Sequence, residues 1–440
     1  MLTEGKYVDE NGLKRLVKET KKYVRQEIQA GYDNTAIVSR IATLENRNTG
    51  AVVIPPPGKN RWLIFDPDNR KGLIMLAGCT VNLSKLGGEG YITLEEDTKF
   101  TINDSLIAGT EYAVKINWDS DTETETETLS LSAQPAITSN NNENDISIVG
   151  WFHTLCADAG SNLTMTIQQA KDWNVVGDNI LVKAYSKRVN PILHGFYVKN
   201  VTAIKTLTNY MVLTVKHPLA GFNAGDILPE SVFCTTFRPE CQNIDGMVYD
   251  PETNICVDIY LMSGTGYGAR SRYGQQHTVN RIYQLMAMDL SCVGKRPLYD
   301  HEFKSAAKGS NECTNIQGNS DKGTVGGHVD TAGRRMISAI GCEEMCGYLW
   351  QILAEYAAIG NNNTGVHGYG NNNASPSWYD NCDTDAKFGQ NYCLPTNMLA
   401  GGDWSNGVLC GSSCRHSSSL RSHAASRHGA RGACDIKIGI

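Results

Sequence analysis

Hydrophobic and polar positions follow two rhythms along this chain. Between residues 10 and 30 the apolar positions Leu13, Val17, Val24 and Ile28 are spaced four, seven and four apart, with Lys, Arg and Glu between them. That spacing predicts an amphipathic helix. After Gly31-Tyr-Asp-Asn a second short helical pattern runs through Ile37, Ile41 and Leu44. A helix this short is marginal alone, so the segment predicts either a helix lying on the next domain or a bundle between copies of the chain.

From Val52 the rhythm becomes one of short β-runs separated by turn residues. Pro55-Pro56-Pro57-Gly58 opens it, and strands are predicted at 61–65, 73–76, 91–94 and 99–102. The clearest alternation is Tyr112, Val114, Ile116 and Trp118, which puts four bulky groups on one face. The run from Thr122 to Thr128 carries Glu123, Glu125 and Glu127 without the Gly and closing Glu of a calcium loop, and reads as a solvated hairpin. Asn140 to Asn144 forms a polar joint before a second β-rich block from about Ile146 to Pro239, with runs at 180–185, 195–198 and 211–215.

Within Gly150 to Asp158 a His and a Cys, His153 and Cys156, lie close together. No neighbouring residue supplies a base or an orienting acid, so a nucleophile is not expected there. From Cys241 the pattern mixes. Helices are predicted at 280–291, at 297–307 with Pro297 in its first turn, and at 343–358, where Met345, Leu349, Ile352, Leu353 and Tyr356 make an apolar stripe flanked by Tyr348 and Trp350. Long Gly, Asn and Ser-rich loops run from 309 to 333 and from 360 to 377; loops of that length in a compact domain are usually functional or held by other loops. Few helices, several short strands and much ordered loop suit a C-type-lectin-like fold. The expectation is an α+β chain divided into an N-terminal helical segment for attachment or oligomerisation (1–48), a β-rich domain (49–139), a second β-rich domain (140–239) and a C-type-lectin-like domain (240–440).

Residues 401 to 435 interleave two alphabets. One is structural: glycines at 401, 402, 407, 411, 429 and 432, Trp404, Cys410, Cys414 and Cys434, and arginines at 415, 421, 427 and 431. The other is small and polar: Asp403, Ser405, Asn406, Ser412, Ser413, His416, Ser417, Ser418, Ser419, Ser422, His423, Ser426 and His428. Composition alone suggests a low-complexity tail. A linker, however, has no use for a tryptophan, three cysteines and four arginines, so the stretch predicts a folded, loop-rich surface with interchangeable occupants.

Composition narrows the function classes. The 440 residues suffice for roughly three domains. A net charge of −6 gives no basic footprint, so no nucleic-acid partner is expected. The first residues lack the apolar core of a signal peptide and no apolar run reaches membrane-spanning length, which predicts synthesis in a cytoplasm and no membrane insertion. Of 14 cysteines, twelve lie from Cys234 onward. Cytoplasmic assembly favours buried, reduced thiols, with disulfides as the alternative once a particle leaves the cell. Cys342 and Cys346, like Cys410 and Cys414, lack the CxxC knuckle and a well-spaced His partner, so neither a metal nor a cofactor is expected.

Leu399-Ala400-Gly401-Gly402, Trp404, Gly407, Cys410-Gly411, Cys414-Arg415, Arg421 and Gly429-Ala430-Arg431-Gly432 carry a resemblance. So do Gly150 to Asp158, Ala224 to Val232, Lys295 to Phe303, Gly309 to Glu312, Gly326 to Arg335 and Gly341 to Trp350. From about Pro55 onward the sequence resembles the variable proteins of diversity-generating retroelements of the phage major tropism determinant type, particularly those of gut Bacteroides phages. The resemblance implies a C-type-lectin-like head in the version shared with formylglycine-generating enzyme. In such proteins a reverse transcriptase miscopies template adenines, so that Asn codons scatter over many residues but never give Lys, Glu, Gln or Met. None of those four occurs between Asp403 and His428.

Carried over position by position, the resemblance implies a variable region of about 399–435. Its ligand-binding variable positions are Asp403, Ser405, Asn406, Leu409, Ser413, His416, Ser417, Ser418, Ser419, Leu420, Ser422, His423, Ser426 and His428. The scaffold beneath comprises Gly401, Gly402, Trp404, Gly407, Cys410, Gly411, Cys414, Arg415, Arg421, Gly429 and Arg431, while Val408, Ala425 and Arg427 fit either alphabet. The implied function is phage receptor binding by a homotrimeric virion tail protein, assembled in the host cytoplasm, that contacts other tail proteins and a bacterial surface protein or glycan. A patch rich in Ser and poor in aromatics predicts weak contacts multiplied by avidity. Two alternatives stand beside this: a structural tail or baseplate protein without a receptor, and a formylglycine-generating-type oxidoreductase, which needs a reactive cysteine pair or a His triad.

Overall fold

The computed structural model describes residues 51–121, 126–136, 145–160, 163–176, 179–184, 194–198, 201–206, 211–359, 378–380, 390–392, 394–417 and 419–438. Both helices expected before residue 48, the polar joint at 140–144 and the loop at 360–377 lie outside them. The described part is mostly β-sheet with two α-helices, Tyr283–Cys292 (α1) and Asp300–Ala306 (α2).

The first block holds two three-stranded sheets, one of Val53–Ile54, Thr80–Asn82 and Tyr91–Thr93, the other of Leu63–Phe65, Gly72–Met75 and Thr98–Thr101. All four strands predicted there are present within a residue or two of their expected ends. Glu111–Asp121 then pairs in antiparallel register with Thr126–Pro135 on one side and Ile148–His153 on the other. The alternation in Glu111–Asp121 does what its pattern demands: Tyr112, Val114 and Ile116 are buried, and Tyr112 stacks on Phe152 with ring centroids 5.4 Å apart. Asp121 pairs with Thr126 in this hairpin, and residues 122–125 of the acidic run lie outside the described residues. In the second block, strands Thr164–Val176, Asn179–Ala184, His194–Val198, Val201–Thr206 and Met211–Lys216 form a five-stranded antiparallel sheet.

The largest sheet has nine strands. Its main path runs Met247–Asp250, Ile255–Asp258, Gly432–Ile438, Phe237–Pro239, Phe233–Cys234, Ile148–His153, Glu111–Asp121 and Thr126–Pro135, and Arg296–Pro297 pairs with Gly432–Ile438 beside that path. Pairing therefore crosses the lines drawn at 139/140 and 239/240 from the sequence. Strand Gly432–Ile438 is the seam, with Ile255–Asp258 on one side and Phe237–Pro239 on the other. Packed near it are α1 and α2. The latter begins at Asp300, not at Pro297, which instead pairs with Gly432. Its first turn is tied by the Glu302 carboxylate, which accepts the Tyr299 N–H at 2.8 Å and a two-pronged contact from Arg296 at 2.7 Å in each arm.

The helix expected at 343–358 is absent. Residues 341–349 are an irregular buried segment, and Trp350–Ile359 is a β-strand. Two backbone facts exclude a helix. Glu344 and Gly347 have φ of 56° and 77°, in the left-handed region, and a Cβ on Gly347 would sit 2.7 Å from the Asn315 Cα. The stripe misled because residues 341–353 are buried on every side apart from half-buried Trp350. Periodicity cannot separate a helix from a strand when both faces are apolar.

At the centre of this buried segment lies Arg431, fully excluded from solvent. Its Nε donates to Gln351 Oε1 at 3.0 Å, Nη1 donates to the Asp258 and Ile259 carbonyls at 2.7 and 2.6 Å, and Nη2 donates to the Glu343 carbonyl. Gln351 Nε2 in turn donates to the Glu344 and Met345 carbonyls, both at 3.0 Å. One side chain thus ties the nine-stranded sheet, the irregular segment and strand Trp350–Ile359 together. Arg431→Lys, which keeps the charge but not the fork of donors, is expected to destabilise the fold by roughly 2–4 kcal/mol in urea titration, since buried carbonyls lose their donors. A loss below about 0.5 kcal/mol would contradict this role.

Candidate functional site

The stretch of two alphabets wraps a four-stranded sheet ordered Gly411–His416, Leu394–Gly401, Trp350–Ile359 and His428–Gly429. After Gly401 the chain makes a turn at 402–406 and a single 3-10 turn at Gly407–Leu409, then enters strand Gly411–His416. It returns through a loop to His428–Gly429, which pairs in parallel with Trp350 and Gln351.

The structural alphabet pins this path at short intervals. Asn315 Nδ2 donates to the Trp404 carbonyl, and Trp404 N–H donates to the Tyr348 carbonyl at 3.0 Å. Gly411 has a φ of 156°, which side chains rarely adopt, and a Cβ there would displace the Glu312 carboxylate, 2.1 Å away; that carboxylate accepts the Ser412 N–H at 3.1 and 3.2 Å from its two oxygens. Arg415 pairs with Asp300 at the start of α2, lies 5.0 Å from the Phe303 ring centroid, and donates to the Ser412 and Cys414 carbonyls. Arg421 stacks 4.2 Å over Tyr283, and the Tyr283 N–H donates to the Arg421 carbonyl at 3.2 Å. Further along, the Asn397 N–H donates to the Ser419 carbonyl and the Asn280 N–H to the Ala425 carbonyl. Gly401, Gly402, Cys410, Gly411, Gly429 and Arg431 are buried, whereas Trp404, Gly407, Cys414, Arg415 and Arg421 are half-buried.

The polar alphabet splits. Ser405, Leu409, Ser413, Ser417, Ser422, His423 and Ser426 are exposed, and Asn406, His416 and Leu420 are half-buried. Asp403, Ser419 and His428 are buried, at 2%, 7% and 6% relative exposure, so these three do not present side chains to solvent. Ser418 lies outside the described residues. Asp403 closes the turn: its carboxylate accepts the Ser405 N–H and hydroxyl, both at 2.7 Å, while its own N–H donates to Asn406 Oδ1 at 2.8 Å. His428 lies edge-on to His423 with centroids 5.5 Å apart, and burial, followed by the neighbouring His423 and His416, lowers its pKa to about 4. His416 packs 5.4 Å from Trp350, and burial lowers its pKa too.

Of the three undecided positions, Val408 is 74% exposed beside Leu409 at 71%. Arg427 bridges outward: it lies 5.5 Å over Trp404 and donates to Ser405 Oγ at 2.6 Å. Ala425 is half-buried. Asn397 escaped sequence reasoning; Glu312 and Tyr348 lay within the framework segments 309–312 and 341–350, but their contacts to Ser412 and Trp404 did not show, because a contact tens of positions away leaves no local pattern.

Cys410 does not have the character of an activated nucleophile. Burial, with Cys414 and Asp403 nearby, pushes its thiol up to about 12, and the thiol donates to the Asp403 carbonyl at 3.4 Å. Among the described residues no three His, Cys, Asp or Glu side chains are grouped to hold a metal. A cavity of about 300 Å³ lies elsewhere, lined by Glu111, His153, Asp245, Arg272 and Tyr273 among others, and takes no residue from 401–435. Its histidine is engaged at both nitrogens, with Glu111 at 3.0 Å and the Tyr260 hydroxyl at 3.1 Å, in keeping with a structural His153.

Three solved structures match this arrangement over nearly their whole length. The U1 variant of Major Tropism Determinant superposes with a TM-score of 0.57 at 18% identity, covering 89% of this chain and 88% of that one. The I1 variant gives 0.57 and 18% over 90% and 88%, and the P3c variant 0.55 and 19% over 90% and 88%. The fold is that of the major tropism determinants. No protein-family model matches the sequence, and no curated protein matches it either. At such low identity the likeness is one of fold, so the chemistry of the 401–435 surface must be argued from this chain's own residues.

The division between pinned and free side chains makes a measurable contrast. Asp403→Ala is expected to cost about 1–2 kcal/mol, because it strips the two hydrogen bonds that the carboxylate accepts from Ser405 in a buried turn. Ser413→Tyr, Ser417→Tyr and Ser422→Tyr are each expected to stay within about 0.5 kcal/mol of the parent by thermal and urea unfolding. Comparable losses at all four positions would show that the surface is not free to vary.

Proposed function

We propose that this chain is a phage tropism-determining, receptor-binding protein whose C-type-lectin-like head displays exchangeable side chains along residues 403–428. One observation carries the reading. The backbone of this stretch is anchored to buried framework at Tyr348, Glu312, Asn397, Asn280 and Arg431, while Leu409, Ser413, Ser417, Ser422, His423 and Ser426 face solvent and anchor little; Ser405 is exposed but tied to Asp403 and Arg427. A surface whose occupants contribute little to folding can change its ligand without losing its shape. The shared fold with the Major Tropism Determinant variants supports the same reading.

In this reading the protein is a virion tail component, and its partners are a bacterial surface protein or glycan and other tail proteins. The ligand-binding set is narrower than the sequence alone suggested. Asp403, Ser419 and His428 act from beneath by holding the turn, the loop and the floor, and Val408 joins Leu409 as an apolar tip. With short hydroxyls dominating, single-site affinity is expected to be weak, and a homotrimer raises it by multivalency.

Deep sequencing of the codons for residues 399–435 across the source population tests the proposal. Substitutions concentrated at the exposed positions and traceable to adenines in a nearby near-copy are expected; uniform conservation there would overturn diversification and favour a structural tail protein. Light scattering is expected to return the mass of three chains, and a monomer would remove the trimer from the reading.

A further inference from the structure

A row of three cysteines crosses the seam of the nine-stranded sheet. Strand Gly432–Ile438 runs in register with Phe237–Pro239, pairing Phe237 with Ile438, Arg238 with Lys437 and Pro239 with Ile436. The ladder continues one step, since the Glu240 N–H donates to the Asp435 carbonyl at 2.8 Å. Extending the same register by one more residue would place Cys241 against Cys434, just before the Gln242 N–H turns to the Val293 carbonyl. On the other side of the same strand, Cys434 is the direct partner of Cys256. The thiol of Cys434 is in hydrogen-bonding contact with both. Cys241 also lies 3.6 Å from the Met247 sulfur, and the buried Lys295–Asp258 pair, at 2.6 Å, is close by.

Backbones paired across an antiparallel rung stand about 4.5–5.5 Å apart at Cα, inside the span that a disulfide bridges. The three thiols differ in access: Cys256 and Cys434 are buried at 0% and 4% exposure, while Cys241 is half-buried. A small oxidant therefore reaches Cys241 first. We infer that Cys241 and Cys434 form a site of oxidative modification, closed as a disulfide at the expense of a low-molecular-weight disulfide such as oxidised glutathione.

In the first step the Cys241 thiolate attacks one glutathione sulfur, making a mixed disulfide and releasing one glutathione thiolate, which takes up the Cys241 proton. In the second, Cys434 attacks the Cys241 sulfur and releases the other glutathione thiolate, which takes up the Cys434 proton. Two electrons pass to glutathione, and the protein loses two hydrogens. The contact with Cys434, then burial, raises the Cys241 thiol; Cys434 is lowered by its contact with Cys241 but raised on balance by Cys256 and burial, so the reaction is slow and accelerates as pH rises. The product links strand Gly432–Ile438 covalently to the segment after Phe237–Pro239, closing a loop that contains the whole variable surface.

The test incubates the folded full-length chain with oxidised glutathione, removes the glutathione, unfolds the chain in denaturant containing iodoacetamide to block every remaining thiol, and maps peptides after trypsin with Asp-N, which cuts before Asp245 and Asp250 and so separates Cys241 from Cys256. The expected result is a Cys241–Cys434 linked peptide, two fewer reactive thiols than the 14 cysteines provide, and a higher thermal midpoint that reverts on reduction. Cys434→Ser is expected to leave glutathione on Cys241, and Cys241→Ser to leave Cys434 reduced. A Cys256–Cys434 link in the parent chain, a persistent glutathione adduct, or full alkylation of all three cysteines would each overturn the assignment. The parent-chain map decides even where a variant fails to fold.

Discussion

A guanidinium removed from water must find acceptors for its N–H groups, and Arg431 finds them in the Asp258, Ile259 and Glu343 carbonyls and the Gln351 side chain. Burial lowers its pKa, the sign of a charge held in low dielectric without a carboxylate directly on it. The arrangement solves two problems together. The irregular segment 341–349 has carbonyls that no regular ladder can satisfy, and Arg431 and Gln351 satisfy several of them. The same contact fixes where the chain re-enters the nine-stranded sheet after the exposed stretch has ended.

From that anchor the division of labour along 401–435 follows physically. Residues that meet framework do so largely through backbone groups or through arginines laid over aromatic rings, contacts that depend little on their neighbours' side chains. The turn at Asp403 is the exception, since its geometry depends on a carboxylate. Exposed serines other than Ser405 then carry almost no structural duty, so their side chains can be exchanged at little cost to the fold. Val408 and Leu409 are the apolar exposures on this surface, held up by the 3-10 turn between Asn406 and Cys410.

Much of the β-structure was legible from alternation. Strands at 63–65, 72–75, 91–93 and 98–101 appear where short runs between turn residues place them, and 111–121 where bulky side chains alternate. Helices α1 and α2 were legible with their ends shifted. The failure at 343–358 has a specific cause: burial on all sides erases the contrast that periodicity reads, and left-handed Glu344 and Gly347 are invisible to it. At the site, the structural alphabet of Gly, Cys and Arg was readable because those residue types are chosen for backbone angle, burial or fork geometry. Burial of Asp403, Ser419 and His428 was not readable, because small polar residues satisfy a buried backbone as readily as they face water.

Strand Gly432–Ile438 lies downstream of the exposed stretch and yet occupies the middle of the nine-stranded sheet. During vectorial synthesis the partners on either side of it must wait, with open edges, until residues 403–428 have been translated and the strand emerges. A frameshift or a stop within the stretch removes the seam and leaves those edges unpaired. Folding then tests each chain for read-through, because only a chain translated in frame through residues 403–428 can complete the body that carries them.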